Sequence, residues 1–319
     1  MMSPQRDLIM HLLRFFPFVI RPSWWGAMLA ALAGTTAFGQ QPSSDSPPPW
    51  TPEQTRFCID YSLIPDSTVL RSHDLCIVAV TAQVEIPSLK KDGCTMLAYA
   101  SMVEVQPGSR EAEAARNRGI PIITENTNWN SSVLDITHPA WLPWVLEALA
   151  NPAFKRGFDG LFLDTLDSVQ LISRAHPEKA EACRSSLVYA IQQLKKRHPE
   201  KRLVLNRGFD LLPDVARQAD AVLVESLYQT WDGTRQRYRA VSPEDARWLL
   251  ARVAQVKRLG LPVFVVDYVA PNNAVLARTT ARRIEAQGCI PFVGTPDLQG
   301  NPHFQPDGRA PTLDEEVCQ

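Results

Sequence analysis

Two acidic residues directly follow runs of apolar residues, and they are the positions where this sequence points most clearly to chemistry. Asp164 comes after the apolar run 161–163, and Glu225 comes after the run 222–224. A carboxylate at such a place must leave the buried part of its element and enter a loop or a cleft. Two carboxyl groups are what cleavage of a glycosidic bond requires, because one protonates the leaving oxygen and the other attacks the anomeric carbon or activates water. A single acid after a strand more often caps the next helix.

The same sequence argues against other kinds of catalytic site. It contains no HExxH pair, no GxSxG nucleophile turn and no GxGxxG or GxxxxGK phosphate loop, so no metal site, serine triad or nucleotide site is predicted. The six cysteines stand at positions 58, 76, 94, 183, 289 and 318 and form no CxxC pair. We expect Cys58, Cys76 and Cys94 to be small apolar core residues and assign no disulfide. We predict neither a metal nor a cofactor.

The elements that would position the two acids alternate along the chain. Short β-branched runs are each followed by an amphipathic or polar stretch, which favours a parallel sheet with crossover helices. Runs such as LVL and VFVV are typical of strands buried on both faces, and about eight units in ~250 residues predict an α/β fold of the (β/α)8 TIM barrel type in a single domain. A doubly wound sheet is the alternative. The nine candidate strands are 57–62, 75–80, 95–101, 120–124, 160–165, 202–207, 221–226, 262–268 and 289–295, of which we expect 120–124 to be the extra one.

Polar residues gather at the carboxyl ends of these runs. In a barrel all of these ends surround one mouth, where barrel enzymes build their sites. We therefore predict that substrate contacts come from this rim, with Tyr61, Tyr99 and Tyr268 able to stack on sugar faces. The other strand-end polar residues are Asp60, Glu85, Asp164, Asp167, Asn206, Arg207, Glu225, Asp267, Thr295 and Asp297.

Composition and charge limit the partners. The chain has 33 Lys and Arg against 34 Asp and Glu, and lacks the basic excess that nucleic-acid binding needs. Residues 1–39 combine arginines, the apolar run 24–33 and a small-residue stretch before Gln40, which predicts a cleaved signal peptide and a secreted or periplasmic protein without a membrane span after cleavage. A retained membrane anchor is the alternative. We expect a Pro/Ser-rich linker at 40–55, the hydrolase domain at 56–299 and a loosely packed C-terminal tail at 300–319.

A resemblance to a known family rests on ordered sequence blocks. The segment GFDGLFLDTLDS (157–168) resembles the signature of glycoside hydrolase family 114, the endo-α-1,4-polygalactosaminidase family, and the chain is also similar to the hydrolase domain of a bacterial biofilm exopolysaccharide protein. Supporting blocks are VLDIT (133–137) with Trp141, LNRGF (205–209), VES (224–226) and VVDY (265–268). The resemblance covers about residues 57 to 299.

What the resemblance implies is an exported endo-acting hydrolase of α-1,4 bonds in polymers of galactosamine and N-acetylgalactosamine. The family's strand-four Asp falls on Asp164 and its strand-six Glu on Glu225, and we assign these as nucleophile and general acid/base by analogy with barrel α-glycosidases. Asp167 as nucleophile, with Asp164 positioning it, is the alternative. The expected substrate-binding residues are Tyr61, Tyr99, Asp135, Asp167, Asn206, Arg207, Asp267 and Tyr268.

Several questions stay open at the level of sequence. A catalytically silent polysaccharide-binding barrel and a hydrolase of another α-glycan are alternatives to the assigned activity. Retention or inversion depends on the distance between the two carboxyl groups. The arginine-rich segment 229–242 is expected to be a lid over the cleft or a solvated loop, and its arginines would oppose a cationic polymer that an acidic rim would attract.

Overall fold

The computed structural model describes residues 50–127, 129–300 and 302–303, and their main feature is a barrel of eight parallel strands surrounded by helices. The strands, in chain order, are β1 (Phe57–Asp60), β2 (Leu75–Val78), β3 (Thr95–Ser101), β4 (Glu104–Val105), β5 (Ile122–Asn126), β6 (Ser131–Leu134), β7 (Gly160–Asp164), β8 (Arg202–Asn206), β9 (Ala221–Glu225), β10 (Gln229–Asp232), β11 (Arg237–Ala240), β12 (Val263–Tyr268) and β13 (Ile290–Gly294). The barrel order is β1-β2-β3-β7-β8-β9-β12-β13. The predicted (β/α)8 fold is therefore confirmed.

Helices cover the outside of the barrel. Side chains start several of them: Ser109, Ser242 and Asn273 each accept a hydrogen bond from a backbone N–H in the first turn of the following helix. The α-helices are Ser67–Arg71, Ile86–Lys91, Arg110–Asn117, Trp141–Trp144, Asn151–Lys155, Val169–Ala175, Ala180–Arg197, Leu212–Val215, Pro243–Arg258 and Ala274–Glu285; a π-helical segment, Val145–Ala150, joins the fourth to the fifth, and short 3-10 turns occupy Leu166–Ser168 and Pro177–Lys179.

The barrel is nearly closed, and its first and last strands pack against each other. The rings of Phe57 and Phe292 pack 5.7 Å apart across this seam, and the carbonyl of Leu298 accepts a hydrogen bond of 2.7 Å from the backbone N–H of Tyr61. Inside, the apolar runs predicted to be buried on both faces are buried, as in β2 and in the first four residues of β7 and β9. At Gly160 a Cβ atom would overlap the backbone of Arg202, so the motif that begins β7 requires a glycine there.

The ninth candidate strand lies outside the barrel. Residues 122–126 form β5, which pairs with β6 in a three-stranded antiparallel sheet with β4. Along the chain, this side sheet comes between β3 and β7, which are neighbours in the barrel. The run 120–124 is therefore the extra strand, as predicted. Strands β4 and β6 and the β10–β11 hairpin were not predicted, because each strand is only two to four residues long.

The folded unit extends into the segment expected to be linker. Trp50 is only 9% exposed, its ring meets Phe264 at 5.4 Å, and the guanidinium carbon of Arg202 lies 4.4 Å from its centroid. Because Arg202 and Phe264 are at the starts of their strands, Trp50 covers the amino-terminal end of the barrel. The predicted signal peptide, the rest of the linker and nearly all of the tail lie outside the described residues.

Candidate active site

The two acids singled out in the sequence lie together at the carboxyl end of the barrel. Asp164 ends the fourth barrel strand, Glu225 ends the sixth, and Asn206 ends the fifth, between them. The Asn206 Nδ2 donates to Asp164 Oδ1 at 2.7 Å and approaches Glu225 Oε1 at 3.4 Å. The two carboxylate oxygens are therefore no more than about 6 Å apart.

Two tyrosines hold the same carboxylates from the opposite side. The hydroxyl of Tyr99 donates to Asp164 Oδ2 at 2.8 Å, and the hydroxyl of Tyr268 donates to Glu225 Oε2 at 2.6 Å. Tyr61 packs edge-on against Tyr99, with ring centroids 5.0 Å apart. All three tyrosines reach the site, as the strand-end positions predicted. The hydroxyl groups of Tyr99 and Tyr268 help to hold the two acids in place, and the ring of Tyr61 supports Tyr99.

Strand register explains which residues face the site. Tyr99 pairs with Phe162, and Ser101 pairs with Asp164, so Tyr99 and Asp164 share a face of the sheet. Glu225 pairs with Val266, which puts Tyr268, two residues further on, on the face of Glu225.

The surroundings of Glu225 favour its protonated form. Burial raises its pKa, and the nearby charge of Asp164 raises it further, whereas the hydrogen bonds from Tyr268 and Asn206 and the charge of Arg207 lower it. The net direction is upward, which keeps a fraction of Glu225 protonated at a higher pH than an exposed glutamate. That is the property a general acid needs.

A third acid, Asp167, lies beside the pair in the 3-10 turn that follows β7. Arg207 forms an ion pair with Asp167 at 3.5 Å. Burial raises the pKa of Asp167, while the charge of Arg207 and the backbone N–H of Gly208 lower it. Arg207 directly follows Asn206, and both Arg207 and Asp167 line the cavity. The ion pair therefore lies next to the two carboxylates.

Two of the expected substrate-binding residues lie away from the site. Asp267 is fully buried on the other face of its strand, where its oxygens accept three hydrogen bonds of 2.6–2.8 Å from the backbone of 227–229. Asp135 follows β6 of the side sheet and pairs with Lys179 at 2.6 Å. Neither lines the cavity. Strand alternation turned Asp267 outward, and Asp135 does not follow a barrel strand, so both have structural roles.

Two other rim acids named from the sequence are engaged in local structure, and a third lies away from the cavity. Asp60 is buried and accepts a hydrogen bond from the Ser62 hydroxyl, and Asp297 accepts one from Thr295. Glu85 precedes the helix Ile86–Lys91 without a side-chain capping bond and does not line the cavity. The acidic rim is thus smaller than the strand-end pattern suggests.

Glu104 is a buried acid that sequence reasoning missed. It accepts a 3.0 Å hydrogen bond from Asn126 and short ones from Ser131 and Ser168. It thereby ties the side sheet to the turn that carries Asp167. The signal in the sequence is a charge within the apolar stretch 102–105, which indicates a buried carboxylate with partners.

A cavity of about 1210 Å³ opens over the carboxylates. Residues 105–111 and Trp129 form one part of its lining, and the hairpin and the helix Pro243–Arg258 form another. The arginine-rich segment 229–242 is therefore a wall of the cavity, built as the β10–β11 hairpin. Of its arginines only Arg239 lines the cavity. Within the described ranges, no group of three His, Cys, Asp or Glu side chains could hold a metal ion.

A family model matches this chain, and solved structures are similar to it. The model of glycoside hydrolase family GH114 matches residues 39–318. The glycoside hydrolase domain of PelA from Pseudomonas aeruginosa is similar in structure, with 33% identity, a TM-score of 0.70, and coverage of 76% of this chain and 96% of that domain. Ega3 from Aspergillus fumigatus, solved in complex with galactosamine, shares the fold at 14% identity and a TM-score of 0.59, with coverage of 81% and 98%.

A relative from Deinococcus radiodurans, described as an uncharacterized protein, is 26% identical over 215 residues. The match spans 65% of this chain and 66% of that protein, just under two thirds of its length.

Proposed function

This chain belongs to glycoside hydrolase family GH114 and is a glycoside hydrolase, and we propose that it cleaves internal α-1,4 bonds in polymers of galactosamine and N-acetylgalactosamine. The observation that carries the proposal is the pair Asp164 and Glu225, joined by one amide of Asn206 at the floor of a large cavity. The cavity of about 1210 Å³ is larger than the ~300–1,000 Å³ of a small-molecule pocket, which suits a chain that extends past the cleaved bond.

The charge of the cavity supports a cationic sugar polymer. Its lining has seven carboxylates and four arginines, and one of those arginines is paired with Asp167. Arg235 forms an ion pair with Asp232 at 3.1 Å, so the hairpin repels a cationic ligand less than its arginine content suggests. The likeness to PelA and the galactosamine bound to Ega3 are in accord with this substrate class. The lining carboxylates are Glu104, Glu111, Asp164, Asp167, Glu225, Glu244 and Asp245.

The chemistry follows from the two acids. Asp164 attacks the anomeric carbon while Glu225 donates its proton to the leaving oxygen, so that the glycosidic bond breaks and a glycosyl ester forms on Asp164. Water then attacks this ester with Glu225 as the base, which regenerates both side chains. We propose retention of configuration, because one Asn206 amide reaches both carboxylates and so keeps them close together, in line with the ~5–5.5 Å spacing of retaining enzymes.

Export is a further part of the proposal. The pattern of arginines, apolar run and small residues in 1–39 supports cleavage before Gln40 and a secreted or periplasmic enzyme. Within the described ranges, no helix is long and apolar enough to cross a membrane. Sequencing the amino terminus of the protein recovered from outside the cytoplasm tests this directly, and an unprocessed chain that starts at Met1 would contradict it.

The activity is tested by reducing-end release from α-1,4-linked galactosamine and N-acetylgalactosamine polymer. We expect activity in the parent chain and a loss of several orders of magnitude in Asp164→Asn and in Glu225→Gln, because each removes one half of the double displacement. Glu200→Gln, at an exposed acid near the amino end of the barrel, serves as the control. Binding without cleavage in the parent would point to a polysaccharide-binding barrel, and full turnover in either variant would exclude the assigned roles.

A further inference from the structure

Trp248 is an exposed aromatic residue in the wall of the catalytic cavity. It lies on the helix Pro243–Arg258, after the hairpin of the sixth barrel strand, and 40% of its surface is exposed. An exposed tryptophan ring is unfavourable in water, because covering its large apolar surface lowers the free energy. A flat apolar ring in the wall of a sugar-cleaving cavity can be covered by the apolar face of a sugar.

The Trp248 ring is held in position before any ligand binds. Phe209 meets it edge-on with ring centroids 5.9 Å apart and an interplanar angle of 81°. The guanidinium carbons of Arg207 and Arg252 lie 5.7 Å and 5.4 Å from the ring centroid. A ring fixed in this way loses little side-chain entropy on binding, which is what a preformed subsite requires.

A carboxylate accompanies the ring on the same helix face. Glu244 is exposed, lines the cavity and stands four residues before Trp248, a spacing that places two side chains next to each other on a helix. Asp245 is engaged in the helix cap, where it accepts a hydrogen bond of 2.7 Å from Ser242. Glu244 is therefore the acid of this wall that is placed to meet a positive charge on a ligand.

The position of this wall relative to the two acids is given by Arg207. Arg207 follows Asn206, which bonds both carboxylates, and its guanidinium group reaches towards the Trp248 ring. The same guanidinium group pairs with Asp167, so the Trp248 ring borders the part of the cavity next to the two carboxylates.

We propose that Trp248 and Glu244 form a sugar-binding subsite next to the cleaved bond, which takes a hexosamine unit whose amino group is free. The ring of Trp248 stacks on the sugar face, and the carboxylate of Glu244 pairs with the ammonium group. This inference rests on the proposed function, because it assumes that the polymer occupying the cavity carries amino sugars. It predicts a preference for deacetylated units at this position.

The subsite is tested by binding, separately from cleavage. Calorimetric titration of an α-1,4-galactosamine oligosaccharide into the Glu225→Gln chain gives the reference affinity. Adding Trp248→Ala is expected to weaken binding about three- to tenfold, the range of an aromatic contact, whereas Trp248→Phe retains most of the affinity. Adding Glu244→Gln is expected to weaken binding of the deacetylated oligosaccharide, to leave binding of the fully N-acetylated one unchanged, and to lose its effect at high salt.

Two matched controls lie away from the cavity. Tyr189→Ala removes an aromatic side chain that is 54% exposed, and Glu200→Gln removes an exposed charge at the opposite end of the barrel. Circular dichroism checks that each variant is folded. If Trp248→Ala binds as tightly as Tyr189→Ala, or if Glu244→Gln affects both oligosaccharides equally, the subsite is excluded. A Glu225→Gln chain that still cleaves polymer would instead contradict the catalytic assignment. The subsite is decided separately, by comparing the affinities of the Trp248 and Glu244 variants with those of the controls.

Discussion

The division of labour between the two acids depends on individual hydrogen bonds. Asp164 accepts hydrogen bonds from Tyr99 at 2.8 Å and from Asn206 at 2.7 Å, so both of its oxygens are held in place. Glu225 accepts a bond of 2.6 Å from Tyr268 but only a long contact of 3.4 Å from Asn206. Tyr268 is therefore the main hydrogen-bonding partner that favours the charged form of Glu225.

Removing that partner is expected to move the pH dependence of activity. In Tyr268→Phe the Glu225 carboxylate loses a hydrogen bond that lowers its pKa, so the pKa rises and the acid stays protonated to a higher pH. The basic limb of the kcat/KM profile should shift upward, with a lower maximal rate because Glu225 is less well oriented. Tyr238→Phe, at a tyrosine of the hairpin, is the control. An unchanged basic limb would show that Glu225 does not set it.

At the scale of elements, the loop after the sixth strand is fixed from outside the barrel. The loop 227–229 donates three backbone hydrogen bonds to Asp267, and Glu225 lies just before it. Burial raises the pKa of Asp267 to about 7, although those three N–H groups lower it. An aspartate in the unfolded chain has a pKa of ~3.9. Between about pH 4 and about pH 7, therefore, Asp267 is protonated in the native state and ionised in the unfolded state.

This difference predicts how stability varies with pH. The free energy of unfolding should fall as pH rises through that window, because the unfolded state binds fewer protons than the native state. Asp267→Asn removes this group and should give a shallower slope, measured by urea unfolding from pH 4 to 8. Asp210→Asn, at an exposed aspartate, should keep the slope of the parent chain. Equal slopes in all three proteins would show that Asp267 does not titrate in this window.

At the scale of the whole molecule, the barrel is used differently at its two ends. The carboxyl end holds the cavity and the acids, while the amino end is covered by Trp50, which packs on Phe264 and Arg202. Stability and catalysis are thus separated along the barrel axis, as is usual for this fold.

Trp50→Ala is expected to destabilise the protein without changing its chemistry. Loss of a buried tryptophan costs about 3–5 kcal/mol of unfolding free energy, because the lost contacts leave a cavity. Urea denaturation measures this cost, and kcat under conditions where the variant is folded should match that of the parent chain. Tyr189→Ala, at an exposed aromatic residue, should change stability little. A Trp50→Ala chain as stable as this control would mean that the amino end of the barrel does not need its cover.

The sequence by itself determined the eight barrel strands, the extra run at 120–124 and the strand-end positions of Asp164 and Glu225, because burial on both faces leaves a local apolar pattern that ends where the chain leaves the core. Tertiary structure alone decided that one Asn206 amide spans both acids, since barrel closure sets distances between residues far apart in sequence. It also decided that Tyr268 faces the site and Asp267 faces away. Neighbouring residues of a strand point to opposite faces, and only the register with β9 shows which face is the inner one.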